Sequence, residues 1–540
     1  LTTETSADGS DISFFYDKDH DQTKTIITSG GKKRGEELRE YDKILHMPLK
    51  FTVNTYNESG ECRSVHTETV YDDLGNITRT STYTPFFDNG KDIREYKYSP
   101  DGNICTYESY YKDDKTKVEI ERTVAPGGIG IASETVKENG RKIKRDEYTY
   151  FDNGNLLESR VQTGLDDYLI TRYAYAPLYS GKYPTEVTTS GVRNADGAID
   201  TYITKYAYDS FGNVTTQTDP NGNTLSYTYD RLGRVLKETL EDGKTRTYTY
   251  NDRANTLYTT DANNKKLLYF YDRYGKIKSV KDCEDVLMSR EYDNQKRIIS
   301  ETATSGAVTK YAYDTLSRVI SAVTYDTDGS ILNEQCLEYN DAFLCTDGVY
   351  RLKLTVTEGN AVENRSTSYI FDRNENAIEQ RLISNDGDRI YSYSFDNAGN
   401  NILSVTPSGA QTKTSYDVFG NPTYILSPDG LEQYFEYDFA GNIIREIDGE
   451  GGEIIRDFDS LSRVVSEETT NGVEPIIAKS YYDYRGNVTK QIDPKGNKTE
   501  YEYDQRGFLT AVRQYSTGSD GLITEYEYDG EGNVTKYAYG

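Results

Sequence analysis

Residues 206–235 read YAYDSFGNVTTQTDPNGNTLSYTYDRLGRV. Tyr206 and Tyr208 flank Ala207, and Tyr227 and Tyr229 flank Thr228. The same spacing returns at Tyr248 and Tyr250, Tyr311 and Tyr313, and Tyr501 and Tyr503. Alternation in runs rich in Tyr, Thr and Val predicts strands, with each tyrosine pair on one face. A second short strand follows each pair, as in residues 213–218 and 234–239. Two turns complete the unit. One is Asp209 to Gly212, repeated as Asp230 to Gly233, Asp438 to Gly441 and Asp483 to Gly486. Asp can accept from the backbone two residues on, and Gly supplies a positive φ. The other turn lies half a unit later, at Asp219-Pro-Asn-Gly222, Glu241-Asp-Gly243, Ser427-Pro-Asp-Gly430 and Asp493-Pro-Lys-Gly496. Strand, turn, strand, turn is an antiparallel meander.

The unit repeats. The aromatic before Asp or Asn stands at Tyr208, Tyr229, Tyr250, Tyr271, Tyr292 and Tyr313, in steps of 21 residues. It resumes with the same step at Phe395, Tyr416, Tyr437 and Phe458, and again from Tyr482 to Tyr503; Tyr528 follows after 25. Chance does not produce such equal steps with the same flanking chemistry. The repeat divides the chain into an irregular segment over 1–60 with room for β-structure, divergent repeats over 61–200, and regular repeats over 201–540 continuous with them. Only Glu36 to Glu40 suggests a turn of helix. Equal steps bring the repeat tyrosines into register: Tyr206, Tyr208, Tyr227, Tyr229, Tyr248, Tyr250, Tyr271, Tyr313, Tyr416, Tyr437, Tyr503 and Tyr528. Cross-strand aromatic contacts contribute roughly 0.2–1 kcal/mol each.

Composition agrees. Of 540 residues, 51 are Tyr, 16 Phe and none Trp, while only 35% are hydrophobic. Tyrosine rings therefore replace much of an aliphatic core. The formal charge of −27 opposes nucleic-acid binding and docking on anionic lipid. No run reaches the roughly 20 apolar residues of a membrane helix. The chain starts at Leu1 without a leader and reads as a piece of a longer protein.

Catalytic chemistry is not indicated. His20, His46 and His66 all precede residue 70, so the regular region lacks the base of a nucleophilic triad. Asp17, Asp19 and Asp21, and the pair Asp326 and Asp328, have ligand-like spacing. Thr28 and Leu337 stand where a calcium loop needs its twelfth-position Glu, so both segments read as solvated turns. The sequons at Asn213, Asn487 and Asn533 read as by-products of the repeat. The five cysteines, Cys62, Cys105, Cys283, Cys336 and Cys345, form no Cys-x-x-Cys pair and read as unpaired. No metal or other cofactor is expected, and no enzyme.

The unit from Tyr206 to Val235 resembles the YD repeat of bacterial Rhs proteins, wall-associated proteins, the shell components of insecticidal toxin complexes and animal teneurins. The resemblance is strong over 200–540 and weaker over 60–200. It implies an all-β sheet of hairpins joined edge to edge and spiralling into a hollow shell lined by tyrosines. In Rhs proteins and toxin complexes, it further implies, the shell encloses a C-terminal toxic segment released by aspartyl self-cleavage. Asp219-Pro220 and Asp493-Pro494 look superficially similar to that cleavage site, but each sits in an ordinary second turn and is expected to stay intact. No plug or toxin segment is recognisable.

The expectation is a non-catalytic structural shell or scaffold fragment of a secreted Rhs-type protein that encloses or presents a C-terminal toxin. The alternative is a cell-surface adhesion module binding a glycan or a protein. Expected partners are the remainder of its own polypeptide (plug, core and toxin) and a surface glycan or protein, with no nucleic acid and no membrane span. The expected location is secreted or cell-surface. At roughly 4.8 Å per strand, about 24 units would make on the order of one turn of a spiral, an open, curved wall with unpaired strand edges at both ends.

Overall fold

The computed structural model describes residues 2–5, 10–57, 59–83, 92–113, 115–177, 181–282, 285–360, 364–470, 475–515 and 521–540. Among them the chain forms 45 strands and a short 3-10 turn, Pro126–Gly128. The fold is all-β. Residues 1–60 contribute the strands Thr2–Thr5, Asp11–Tyr16, Gln22–Ser29, Lys32–Tyr41 and Pro48–Tyr56.

Two compact units make up the chain. The first comprises Leu1–Arg122, Val136–Ile143 and Leu287–Gly430; the second comprises Thr123–Thr135, Lys144–Val286 and Leu431–Gly540. In each, strands pair antiparallel with their neighbours in sequence. Ile199–Tyr208 pairs with Val214–Thr218, which pairs with Thr224–Tyr229 in the second unit. Arg389–Phe395 pairs with Asn401–Val405, and that with Gln411–Tyr416, in the first.

Period two is visible in exposure. In Val308–Tyr313 and Leu522–Tyr528 the tyrosines are half-buried while the residue between each pair is exposed. The tyrosine pair therefore takes the more covered face of its strand. Eleven apolar residues are buried among those described, and none is larger than Leu or Ile. A core that thin leaves the sheet dependent on its tyrosines and on hydrogen bonds.

The ladder is not uniform. Tyr208 pairs with Val214, but Ala207 pairs with Thr216, so Thr215 is skipped. The same shift recurs before Tyr229, Tyr313, Tyr416, Tyr437, Tyr503 and Tyr528. One extra residue against one is a β-bulge, and here it is a part of the repeat. Sequence periodicity misses it because a bulge keeps the period of the strand that carries the tyrosines.

One expectation is corrected. Glu36 to Glu40 is not helical; it lies in the strand Lys32–Tyr41. The buried Glu36 carboxylate takes Lys24 Nζ at 2.8 Å, Lys33 Nζ at 2.7 Å, Tyr56 Oη at 2.9 Å and Asn54 Nδ2 at 3.1 Å. Burial works against that charge, but the four donors outweigh it and hold its pKa down at about 2. Lys24, Asn54 and Tyr56 stand on the flanking strands Gln22–Ser29 and Pro48–Tyr56, a cross-strand arrangement that outweighs local helix propensity. Within each unit, segments some 265–285 residues apart meet, as Tyr484 meets Asp219 and Asn57 meets Ala342.

Candidate functional site

The first turn of most repeats is a carboxylate clamp. Asp209 Oδ1 accepts the N–H groups of Phe211 at 2.8 Å and Asn213 at 3.0 Å, and its Oδ2 accepts Asn213 Nδ2 at 2.9 Å. Asp438 with Asn442 and Asp483 with Asn487 repeat this geometry. Gly212, Gly233, Gly441 and Gly486 have φ of +92°, +77°, +88° and +90°. The Asn213 donors hold the Asp209 carboxyl below the usual carboxylate range. Asn213, Asn487 and Asn533 are thus clamp residues.

A second form replaces Asn with Arg. Arg234 Nε donates to Asp230 Oδ2 at 2.7 Å, and its Nη1 reaches on to Asp252 at 2.6 Å. The guanidinium lies over the ring of Tyr250 at 4.2 Å. Arg297 over Tyr313, Arg318 over Tyr339 and Arg463 over Tyr482 repeat that stacking. An Arg clamp therefore ties its own turn and couples it to the next repeat. The backbone N–H of Arg234 is the main influence depressing the Asp230 carboxyl.

In several repeats the second tyrosine of the pair makes a bond that unites successive repeats. Tyr229 Oη donates to Val214 O at 2.6 Å, and Val214 is the residue opposite Tyr208 at the bulge. Tyr313 reaches Ile298 O at 2.7 Å, Tyr416 reaches Asn401 O at 2.8 Å, Tyr503 reaches Val488 O at 2.7 Å, and Tyr528 reaches Leu509 O at 2.7 Å. Tyr208 reaches Pro184 O at 2.7 Å. Each acceptor stands opposite the aromatic of the preceding repeat, at its bulge. The skipped threonine contributes too: Thr489 Oγ1 donates to Tyr481 O at 3.3 Å and Thr535 Oγ1 to Glu527 O at 3.1 Å. Burial raises the Tyr229, Tyr313, Tyr416 and Tyr503 hydroxyl pKa values, keeping the donors protonated.

The first tyrosines of the pairs play another part. Tyr227 lies 6.3 Å from Tyr229, centroid to centroid, and burial raises its pKa and that of Tyr248. Tyr206 is half-buried. Tyr250, under Arg234, and Tyr271 are raised by burial as well, and Tyr437 is half-buried opposite Ile443.

Within the second unit, first turns of the later segment seat on second turns of the earlier one. Phe439 N–H donates to Thr163 O at 2.9 Å, and Ser460 Oγ to Gly191 O at 3.0 Å. Tyr484 Oη and Arg485 Nη2 both donate to Asp219 Oδ2, the latter at 2.9 Å. Arg506 pairs with Asp242 at 3.0 Å. Glu531 accepts Arg246 Nη2 at 2.5 Å and Ala262 N–H at 2.6 Å. Burial and the Asp219 carboxylate push the Tyr484 hydroxyl up to about 12. The first unit has a corresponding seam. Asn397 N–H donates to Lys112 O at 2.9 Å, and the buried Lys112 ammonium caps Tyr416 O and Asp417 O at 2.5 Å each.

Residues 190–224, 208–245 and 482–518 match the family model described as RHS Repeat. The chain carries RHS repeats. Those segments hold the clamps of Asp209, Asp230 and Asp483 described above. No curated protein sequence matches the chain. Among solved structures it is similar to the crystal structure of TcdB2-TccC3, with 10% identity and a TM-score of 0.42, covering 98% of this chain and 40% of that one. For TcdB2-TccC3-TEV the values are 11%, 0.44, 96% and 44%. For the Photorhabdus luminescens Tc holotoxin pore with TccC3-D651A they are 10%, 0.36, 98% and 45%. The chain thus spans less than half the length of these structures.

Outside the RHS clamps, the other candidate residues fall into structural roles. Asp17 Oδ1 accepts the N–H groups of Asp19 and Asp21, and Asp21 pairs with His46 Nδ1 at 2.7 Å. His66 bonds Thr52 at 2.8 Å and stacks on Tyr83. Asp328 closes its own turn through Ser330 N–H at 2.8 Å. No three His, Cys, Asp or Glu side chains converge on a metal position among the described residues. Cys62, Cys105, Cys336 and Cys345 are free thiols; Cys283 lies outside the described residues. Sequence reading did not find the seam. Tyr484, Arg485, Arg506 and Glu531 sit at variable turn positions, and the only local hint was the clustering of Arg and acidic residues at opposite turns.

Proposed function

We propose that the chain is a non-catalytic wall of a secreted or cell-surface RHS-type shell, which encloses or presents another segment of its polypeptide, a C-terminal toxin. The observation that supports this most is the seam. A repeat sheet that only displayed a surface would need bonds between sequence neighbours alone. Here segments far apart in sequence are also fastened edge to edge, by Tyr484 and Arg485 on Asp219 and by Glu531 on Arg246 and Ala262. Such a wall resists opening between its layers, as a container must. The tyrosine hydroxyls speak for the same reading over glycan adhesion, because Tyr229, Tyr313, Tyr416 and Tyr503 already spend their donors on backbone carbonyls. No helix of the described residues is long and apolar enough to cross a membrane.

The test is protection. A protease-sensitive reporter peptide is joined after Gly540, and its cleavage is followed with the wall folded and with the wall unfolded in urea. Slow cleavage in the folded state and fast cleavage in urea is the expected result. Cleavage of the folded fusion at the rate of the free reporter, with binding on a glycan array, would replace the shell by the adhesion module.

A further inference from the structure

The seam of the second unit uses one edge of each of its two segments, and each segment has another edge. Among the described residues, the earlier segment exposes first-turn tips that carry Arg231, Arg253 and Arg273, with Phe211 and Leu232 77% and 73% exposed. The later segment exposes second turns at 448–452 and 493–497, with Asp448, Glu450 and Asp493 at the surface. In a chain of net charge −27, an edge of exposed arginines and apolar tips stands apart from the surface average.

The Asp493 turn matches one already occupied in the seam. Asp493 Oδ1 accepts Lys495 N–H and Asn497 N–H at 2.8 Å each, and Oδ2 accepts Asn497 Nδ2 at 2.8 Å. Asp219 makes the corresponding bonds with Asn221 and Asn223. On Asp219 the position beyond the clamp is filled by Arg485 from a first-turn tip. On Asp493 it faces solvent. The spacing fits as well: Arg231 and Arg273 are 42 residues apart, and Asp448 and Asp493 are 45 apart, two repeats in each case.

We propose that the Arg231–Arg273 edge of one copy of this chain docks on the Asp448–Asp493 edge of a second copy, repeating between molecules the seam found within one. Arg231 meets the acidic turn of Asp448 and Glu450, Arg273 meets Asp493, and Phe211 and Leu232 lose their exposure. The two edges differ, so the contact is head-to-tail, and each added copy presents a fresh edge. Lys495 sits in the Asp493 turn where Asn221 sits in the Asp219 turn. It opposes Arg273 and keeps the association weak.

Sedimentation velocity over a concentration series tests this, with circular dichroism confirming that each variant is folded. The wild-type chain sediments faster as concentration rises. Arg231→Glu with Arg273→Glu weakens association by about tenfold or more, and Lys495→Glu tightens it by about tenfold. The three substituted side chains are exposed and outside every clamp described. A wild-type chain that stays monomeric throughout the series overturns the proposal. So does association that the Arg231 and Arg273 changes leave intact, or that Lys495→Glu leaves unchanged or weakens.

Discussion

The turns at 219–223 and 493–497 have nearly one sequence, Asp-Pro-Asn-Gly-Asn and Asp-Pro-Lys-Gly-Asn, and one geometry. Gly222 and Gly496 have φ of +88° and +82°. Their surroundings differ. The Asp219 side chain is only 12% exposed, beneath Tyr484 and Arg485, whereas Asp493 is at the surface. Identical local chemistry thus serves two roles, a hairpin end and the floor of a seam. The repeat dictates the first, and a segment 265 residues away decides the second.

Removing the aspartate separates the roles. Asp219→Ala takes away the turn clamp and the acceptor of a partly buried guanidinium, and is expected to cost about 2–4 kcal/mol. Asp493→Ala loses the clamp alone, and its denaturation midpoint should move less. Urea unfolding of the two variants checks the order, and equal shifts would mean that the seam adds nothing. Acid gives a second reading. Asp219 feels burial first, which raises its pKa, but Tyr484, Asn223 and Arg485 outweigh it; Asn497 leads in lowering Asp493. Both carboxyls are depressed in the folded chain. Their stabilisation is present above the ordinary carboxylate range and is lost as pH falls through the folded values. The acid limb should therefore flatten in both Asp219→Ala and Asp493→Ala.

Two first turns extend the contrast from charge to backbone. Gly212 and Gly275 have φ of +92° and +80°, so any side chain at either is strained. A Cβ at Gly275 meets nothing within 4 Å, while one at Gly212 runs into the Tyr183 ring, which stacks on Tyr208 at 5.0 Å. Gly275→Ala is expected to cost about 1–2 kcal/mol from φ alone, and Gly212→Ala about 2–4 because Tyr183 must also move. Thermal melts of both variants give the comparison. A milder effect at Gly212 would show that the aromatic stack yields freely.

Much of this fold is legible because its causes are local. The period of two, the Asp and Gly of each turn and the step of 21 residues name the strands, their order and their antiparallel pairing. The clamps of Asp209, Asp230, Asp438 and Asp483 follow from the same motif. The bulge was not legible, because Thr215 and its counterparts continue the strand pattern while dropping out of the ladder. Nor was the target of the tyrosine hydroxyls, which is a carbonyl freed by that bulge one repeat earlier. Glu36 misled for the opposite reason: its helical propensity is local, but its partners Lys24, Asn54 and Tyr56 come from flanking strands. The seam escaped altogether. Two edges separated by more than 260 residues leave no periodic mark on either, and the tip residues that join them vary from turn to turn.

The tyrosine ladder supplies its own natural contrast, since Phe371, Phe395 and Phe458 occupy positions that are elsewhere tyrosine. Tyr503 donates to Val488 O, opposite Tyr482 at the preceding bulge. Phe458 stands one repeat after Tyr437, whose bulge partner is Ile443, but it has no hydroxyl to offer. Tyr503→Phe should lose one partly buried hydrogen bond and about 1 kcal/mol. Phe458→Tyr should place an Oη against Ile443 O and gain a smaller amount, about 0.5 kcal/mol, since the new hydroxyl must first leave water. Neither change alters ring packing, so the pair isolates the hydrogen bond from the aromatic contact. Chemical denaturation of both variants beside the wild type reads the difference. Opposite signs would establish the hydroxyl as the reason this repeat prefers tyrosine to phenylalanine. A loss at both positions would return that preference to the ring alone, with Phe458 fitted to a site that has no room for oxygen.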